Sequence, residues 1–190
     1  MGRVALRPGG KYNAAMRALV AALSLFAVAA CGEAPAPDAS ANERAVLSGY
    51  FKAESNTARA ITGDVRIERG GVVFGSGVVL YTRTLEPRSG GDVISRDGDS
   101  YAAAALGPGD LSVELRRVAE QTVPQGGVGL CGAARVEYVA LAHDQRARKV
   151  TLLAFAGEEP PGPQATQSRV CASFAFAAPE GARTREGVVL

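Results

Sequence analysis

Val65-Arg66-Ile67-Glu68-Arg69-Gly70-Gly71-Val72-Val73-Phe74-Gly75-Ser76-Gly77-Val78-Val79-Leu80-Tyr81-Thr82 decides the fold class of this chain. Apolar Val65 and Ile67 alternate with charged Arg66 and Glu68, the period of a strand whose successive side chains point to opposite faces. Gly70-Gly71 supplies a turn, and an apolar run follows from Val72 to Thr82. In that run Val73, Val79 and Tyr81 share one face, and Val72, Phe74, Val78 and Leu80 the other, so the spacing predicts one central strand buried on both sides.

The same alternation recurs down the chain, broken by clusters of Gly, Pro and Asp. Leu111, Val113 and Leu115 alternate with Ser112, Glu114 and Arg116, which predicts a strand with one face in water. Val136, Tyr138 and Ala140 alternate with Arg135, Glu137 and Val139, and a turn over His143 to Lys149 leads into Val150 to Phe155. Val170, Ala172, Phe174 and Phe176 mark a last strand, expected to pair antiparallel with Val150–Phe155 because sequential apolar runs most economically form a hairpin. Asp97-Gly98 predicts a further hairpin between Val93-Ile94-Ser95 and Ser100-Tyr101-Ala102. Many short strands between turn clusters predict a mainly β domain, an antiparallel β-sandwich or small β-barrel. Ser40-Ala41-Asn42-Glu43 has capping-box spacing, which adds a short N-terminal helix over about 41–48.

The N-terminal region follows different rules. Ala18 to Ala30 is small and apolar apart from Ser24, and Arg3, Arg7, Lys11 and Arg17 precede it without an acid. An apolar run of that length makes roughly 20 Å of helix, short of a bilayer core of about 30 Å. Val28-Ala29-Ala30-Cys31 closes it, and the whole resembles a bacterial lipoprotein signal with its lipobox. An ordinary secretory signal is the alternative, although Val28 three places before a cysteine exceeds what the small-residue cleavage rule asks. The resemblance implies diacylglycerol on the Cys31 sulfur, cleavage before Cys31, and membrane attachment through the lipid. In a diderm cell Gly32, where an Asp would stand in the retained class, resembles an outer-membrane-directed lipoprotein facing the periplasm. Met16-Arg17 opens a compact signal by itself, so Met1 and Met16 are both candidate starts. The expected organisation is a signal over 1–30, a Pro- and Ala-rich tether over 31–42, and one β-rich extracytoplasmic domain over 43–190.

Charge and cysteines then take on meaning. The chain carries 21 Lys+Arg against 19 Asp+Glu, but the four bases of the signal leave the remainder about −2. A near-neutral domain without basic blocks has no electrostatic footprint for nucleic acid. With Cys31 assigned to lipid, Cys131 and Cys171 remain as an even pair in an oxidising compartment, where a disulfide is the expected state and its role structural. A metal or redox pair is the competing reading, supported only by the single His143 and by no C-x-x-C spacing.

Motifs for chemistry are weak. Phe74-Gly75-Ser76-Gly77 lacks the first glycine of G-x-S-x-G and sits within the expected strand. His143-Asp144 lies in a polar turn; Asp97-Gly98-Asp99 lacks the further ligands of a calcium loop; Gly126-Gly127-Val128-Gly129 is not followed by Lys-Ser or Lys-Thr. No catalytic residue, cofactor or metal is therefore expected. Gly157 to Gln164 reads as an exposed connection that could serve as a contact loop. Three functions stay open: a non-catalytic, lipid-anchored envelope module that binds an envelope protein or plays a structural part; a lipocalin-like carrier of a small hydrophobic ligand, against which the absence of Trp counts; and a hydrolase with an unrecognised site.

Overall fold

A computed structural model describes residues 46–178. Cys31, the signal, the tether and residues 41–45 of the expected helix lie outside them. Residues 46–48 are not helical, and the chain runs directly into the first strand.

Nine strands form in chain order: β1 Gly49–Ala53, β2 Val65–Glu68, β3 Gly71–Phe74, β4 Val79–Thr84, β5 Arg88–Ser89, β6 Ser112–Thr122, β7 Tyr138–His143, β8 Lys149–Ala156 and β9 Arg169–Ala177. Apart from β5, which pairs only with β6, each neighbours the next in sequence, β4 pairs with β6, and β9 returns to β1. All these pairings are antiparallel. The result is a closed eight-stranded up-and-down β-barrel, the barrel of the two expected architectures. The expected β8–β9 hairpin is present, with Leu152 opposite Phe174 and Val150 opposite Phe176.

The run Val72–Thr82 is a hairpin and not the single strand its apolarity suggested. Gly77 adopts φ +86°, a backbone conformation that suits glycine, and its amide bonds to the Phe74 carbonyl at 2.9 Å. The facing sets survive the change: Val72, Phe74, Val78 and Leu80 point inward, while Tyr81 is half exposed outside. An apolar strand on each side of a glycine turn gives the same parity as one uninterrupted strand.

Side chains fill the barrel. Phe51, Phe74, Leu80, Leu152, Phe174 and Phe176 meet at its centre with at most 2% exposure, and the Phe74 and Phe176 rings lie 6.4 Å apart. The β6 alternation resolves opposite to its reading. Glu114 and Arg116 face inward, not into water, and Val113 and Leu115 face outward into a second apolar cluster. The inward charges are tolerated because they are paired and saturated: Arg116 Nε donates to Glu114 Oε1 at 2.7 Å, Nη1 to the Glu68 carbonyl at 2.5 Å and Nη2 to the Leu47 carbonyl at 3.0 Å. Glu114 Oε2 in turn accepts the Leu47 amide at 2.8 Å. Both polar groups of Leu47 are thus tied to β6 where the chain enters the barrel.

The outward face of β6, β7 and β8 is covered by the long connection between β4 and β6. The expected hairpin over 93–102 reduces to one bridge, Val93 to Ser100, after which Ser100 Oγ accepts the Ala103 amide and caps a helical turn, α1 Tyr101–Ala104. An N-cap serine ahead of four helix-compatible residues outweighs the Asp-Gly turn signal. Ile94, Tyr101, Leu115, Tyr138, Leu153 and Phe155 form this second core, with Tyr101 edge-on to Phe155 at 6.3 Å. The segment Gly157 to Gln164, read as exposed, is partly docked here: Pro161 and Gly162 are buried, Gly162 donates to the Ile94 carbonyl at 2.7 Å, and Tyr101 Oη donates to the Pro161 carbonyl at 3.3 Å.

Candidate functional site

Residues of catalytic type are dispersed or engaged with backbone. Ser76 is exposed at the β3–β4 turn, outside any strand. The His143 Nδ1 lies 2.8 Å from the Asp144 carbonyl oxygen, and the Asp144 carboxylate accepts the Arg148 amide, so the two side chains serve the β7–β8 turn and form no dyad. Asp97 and Asp99 are exposed beside the Val93–Ser100 bridge, and no group of three metal-ligating side chains occurs among the described residues. Tyr50 Oη donates to Asp64 Oδ2 at 2.5 Å while Asp64 Oδ1 accepts the Ala53 amide at 2.9 Å. Those bonds hold the Asp64 carboxyl below its usual range and raise the Tyr50 phenol, a clamp from the β2 entry onto β1.

Cys131 and Cys171 form a disulfide with Cα atoms 5.3 Å apart. Cys171 is the extra residue of a bulge in β9, because Ala154 pairs with Ala172 and Phe155 with Val170. The bulge turns Val170 outward, 37% exposed, off the face that simple alternation shares among Val170, Ala172, Phe174 and Phe176. It also presents the Cys171 sulfur to the β6–β7 connection, residues 123–137. Leu130 and Val136 of that connection are buried in the barrel core, and the Val136 amide donates to Gln121 Oε1 at 3.2 Å. Gly126, Gly127 and Gly129 lie in this connection, which is tied down at Leu130, Cys131 and Val136.

That connection borders an outer groove of about 560 Å³ alongside the end of β6. A hollow of about 430 Å³ adjoins it through the shared residues Ala119 and Arg135. Ala119 is the extra residue of a β6 bulge, since Thr82 pairs with Val118 and Tyr81 with Glu120. The bulge frees the Ala119 carbonyl, which accepts Arg135 Nη2 at 3.0 Å, so the guanidinium swings over β6. Arg83 on β4 stands directly opposite Arg117 on β6. Both are exposed and line the hollow with Arg135. Neither the Arg83 nor the Arg117 side chain has an ion-pair or hydrogen-bond partner among the described residues, while Arg135 pairs with Glu137 at 3.3 Å. Glu120 lines the loop half of the groove and not the arginine hollow.

Guanidinium forks, open backbone and methyl groups line the groove and the hollow, and among these lining residues no nucleophile stands beside a general base. Sequence reasoning passed over Arg83, Arg117 and Arg135 because none belongs to a motif. The available signal is parity: both Arg83 and Arg117 are polar positions on strands whose opposite faces are buried, yet their pairing needs the β4–β6 register. No family model, curated protein or solved structure matches this chain.

Proposed function

We propose that this protein is a lipid-anchored bacterial envelope lipoprotein whose barrel is a non-catalytic binding module with its contact surface on the outside, along the β6 groove. Supporting the external surface is one observation above the rest: aromatic and aliphatic side chains from every wall occupy the barrel interior. The lipobox at Cys31 supports the anchor, and Gly32 supports an outer-membrane location facing the periplasm in a diderm cell. A lipocalin-like carrier is the second reading, favoured by the up-and-down eight-stranded topology. Its weakness is that a carrier keeps the space that Phe51, Phe174 and Phe176 fill here. Among the described residues no assembled group supports the hydrolase reading.

Two measurements test the proposal. Cys31→Ser should leave the precursor uncleaved and free of labelled palmitate; wild-type labelling of that variant would remove the anchor. A photo-crosslinking residue at Ala119 in living cells should give a discrete envelope adduct that the same residue at Arg66, on a different wall, does not. Adducts that are identical from both positions would remove the groove. Stoichiometric uptake of a fluorescent fatty acid by the purified protein would favour the carrier.

A further inference from the structure

We infer that the hollow framed by Arg83, Arg117 and Arg135 binds a phosphoryl group, free or esterified; the inference rests on the outer groove being the contact surface. Directly opposed like charges on antiparallel strands destabilise a sheet, and Arg83 faces Arg117 in register with no ion pair to either side chain, the one acid lining the hollow, Glu137, being engaged by Arg135. A third guanidinium is carried to the same hollow by the bulge at Ala119 and by the disulfide-held connection. Of the three positive charges only that of Arg135 is answered, by Glu137, so the hollow presents about two uncompensated charges. A phosphomonoester brings about −1.5 to −2 at neutral pH and three acceptor oxygens, which matches two open forks. A carboxylate brings half the charge and engages only one fork in bidentate fashion. Glu120, set apart in the loop half of the groove, leaves the hollow itself cationic and would meet the uncharged or donor-bearing remainder of an ester.

Binding is read on the full-length protein in non-ionic detergent, by the arginine side-chain N–H resonances and by the melting temperature, with inorganic phosphate as the probe and chloride and acetate at matched ionic strength as controls. Phosphate should move the Arg83 and Arg117 resonances saturably and raise the melting temperature, and acetate should do neither. Arg83→Gln and Arg117→Gln should each weaken phosphate binding about tenfold, the worth of one charge-assisted contact, and the double variant should abolish it. In phosphate-free, low-salt buffer each single variant should melt at or above the wild-type temperature, because a repulsion has been relieved. Equal phosphate responses in wild type and double variant, no response in wild type, or single variants that melt lower without phosphate would each overturn the inference. Glycerol phosphate and detergent micelles doped with phosphatidic acid then separate a soluble ester from a lipid headgroup by which competes with inorganic phosphate. A groove that crosslinks at Ala119 but ignores phosphate refutes the inference alone; phosphate binding without any groove-specific adduct refutes the contact-surface reading instead.

Discussion

Arg116 is the residue whose environment most constrains the molecule. It is completely buried, and its guanidinium supplies bonds to Glu114, Glu68 and Leu47 from one side chain. Arg116→Ala would leave the buried Glu114 carboxylate without its counter-charge and remove a donor from the Leu47 and Glu68 carbonyls, so unfolding by denaturant should show a loss of about 3–5 kcal/mol. Replacing Glu114 and Arg116 together by Leu and Met should recover the part of that loss due to the orphaned charge, while the Leu47 amide and the Leu47 and Glu68 carbonyls still lack their partners. Tyr101 makes a second, pH-dependent case. Burial pushes its phenol up to about 12 from an ordinary 10.0. The stabilisation of the neutral form is therefore whole below pH 10 and drains away as the pH rises through about 12. A shift of that size corresponds to roughly 2–3 kcal/mol, so Tyr101→Phe should flatten the alkaline limb of a stability–pH curve while costing about 1 kcal/mol at neutral pH through the lost bond to Pro161.

At the scale of elements, the connections do more than join strands. The β6–β7 connection is held by the Cys131–Cys171 bridge across a separation of 40 residues. Replacing both cysteines by alanine should cost roughly 4 kcal/mol by the chain-entropy relation and lower the melting temperature by about ten degrees. Amide exchange should accelerate first over 123–137, which a uniform loss of protection would contradict. Leu106, just past α1, combines φ +53° with 96% exposure, a position with neither apolar contact to lose nor room for a Cβ without strain. Leu106→Gly should accordingly raise stability by about 0.5–1 kcal/mol, relief of left-handed strain being partly offset by glycine's chain entropy. These elements also mark where the sequence was readable. A strand with a clean period of two, such as Val65–Glu68, discloses itself because alternation depends on the chain alone, and Lys149–Ala156 does so as a continuous apolar run. The inward turn of Glu114 and Arg116 does not, since their partners Leu47 and Glu68 are distant in sequence and the outer face of β6 is apolar only because the 85–111 connection covers it. Nor does the arginine hollow, whose geometry exists only once β4 lies against β6.

Closure is the problem set at the scale of the whole molecule. An up-and-down barrel abolishes its edges only if the first strand meets the last, and this contact joins the most distant parts of the chain. Here the regular ladder is short: Lys52 pairs with Ala177 and Ala53 with Phe176, and β1 then ends. The chain leaving β1 continues the seam by irregular bonds. The Glu54 and Ser55 amides both donate to the Ala175 carbonyl, Ser55 Oγ accepts the Ala175 amide at 3.1 Å, and Thr57 Oγ1 donates to the Ser173 carbonyl at 3.3 Å. Ser55 Oγ also accepts the Ala58 amide at 3.1 Å, which couples the seam to the π-helical turn Ala58–Thr62 and its buried Ala58. One hydroxyl therefore joins the last strand to the segment after the first. Ser55→Ala should leave the Ala175 and Ala58 amides unpartnered and cost about 1–3 kcal/mol, the penalty of part-buried donors left unsatisfied. The loss should also be local in its first appearance: amide exchange at Ala175 and along β1 should accelerate before that of the β6–β7–β8 wall, and Ser55→Thr, which keeps the hydroxyl, should restore protection. If β9 amides next to β8 opened together with those next to β1, the barrel would be unfolding as one cooperative sheet and the seam would hold no special place in its stability.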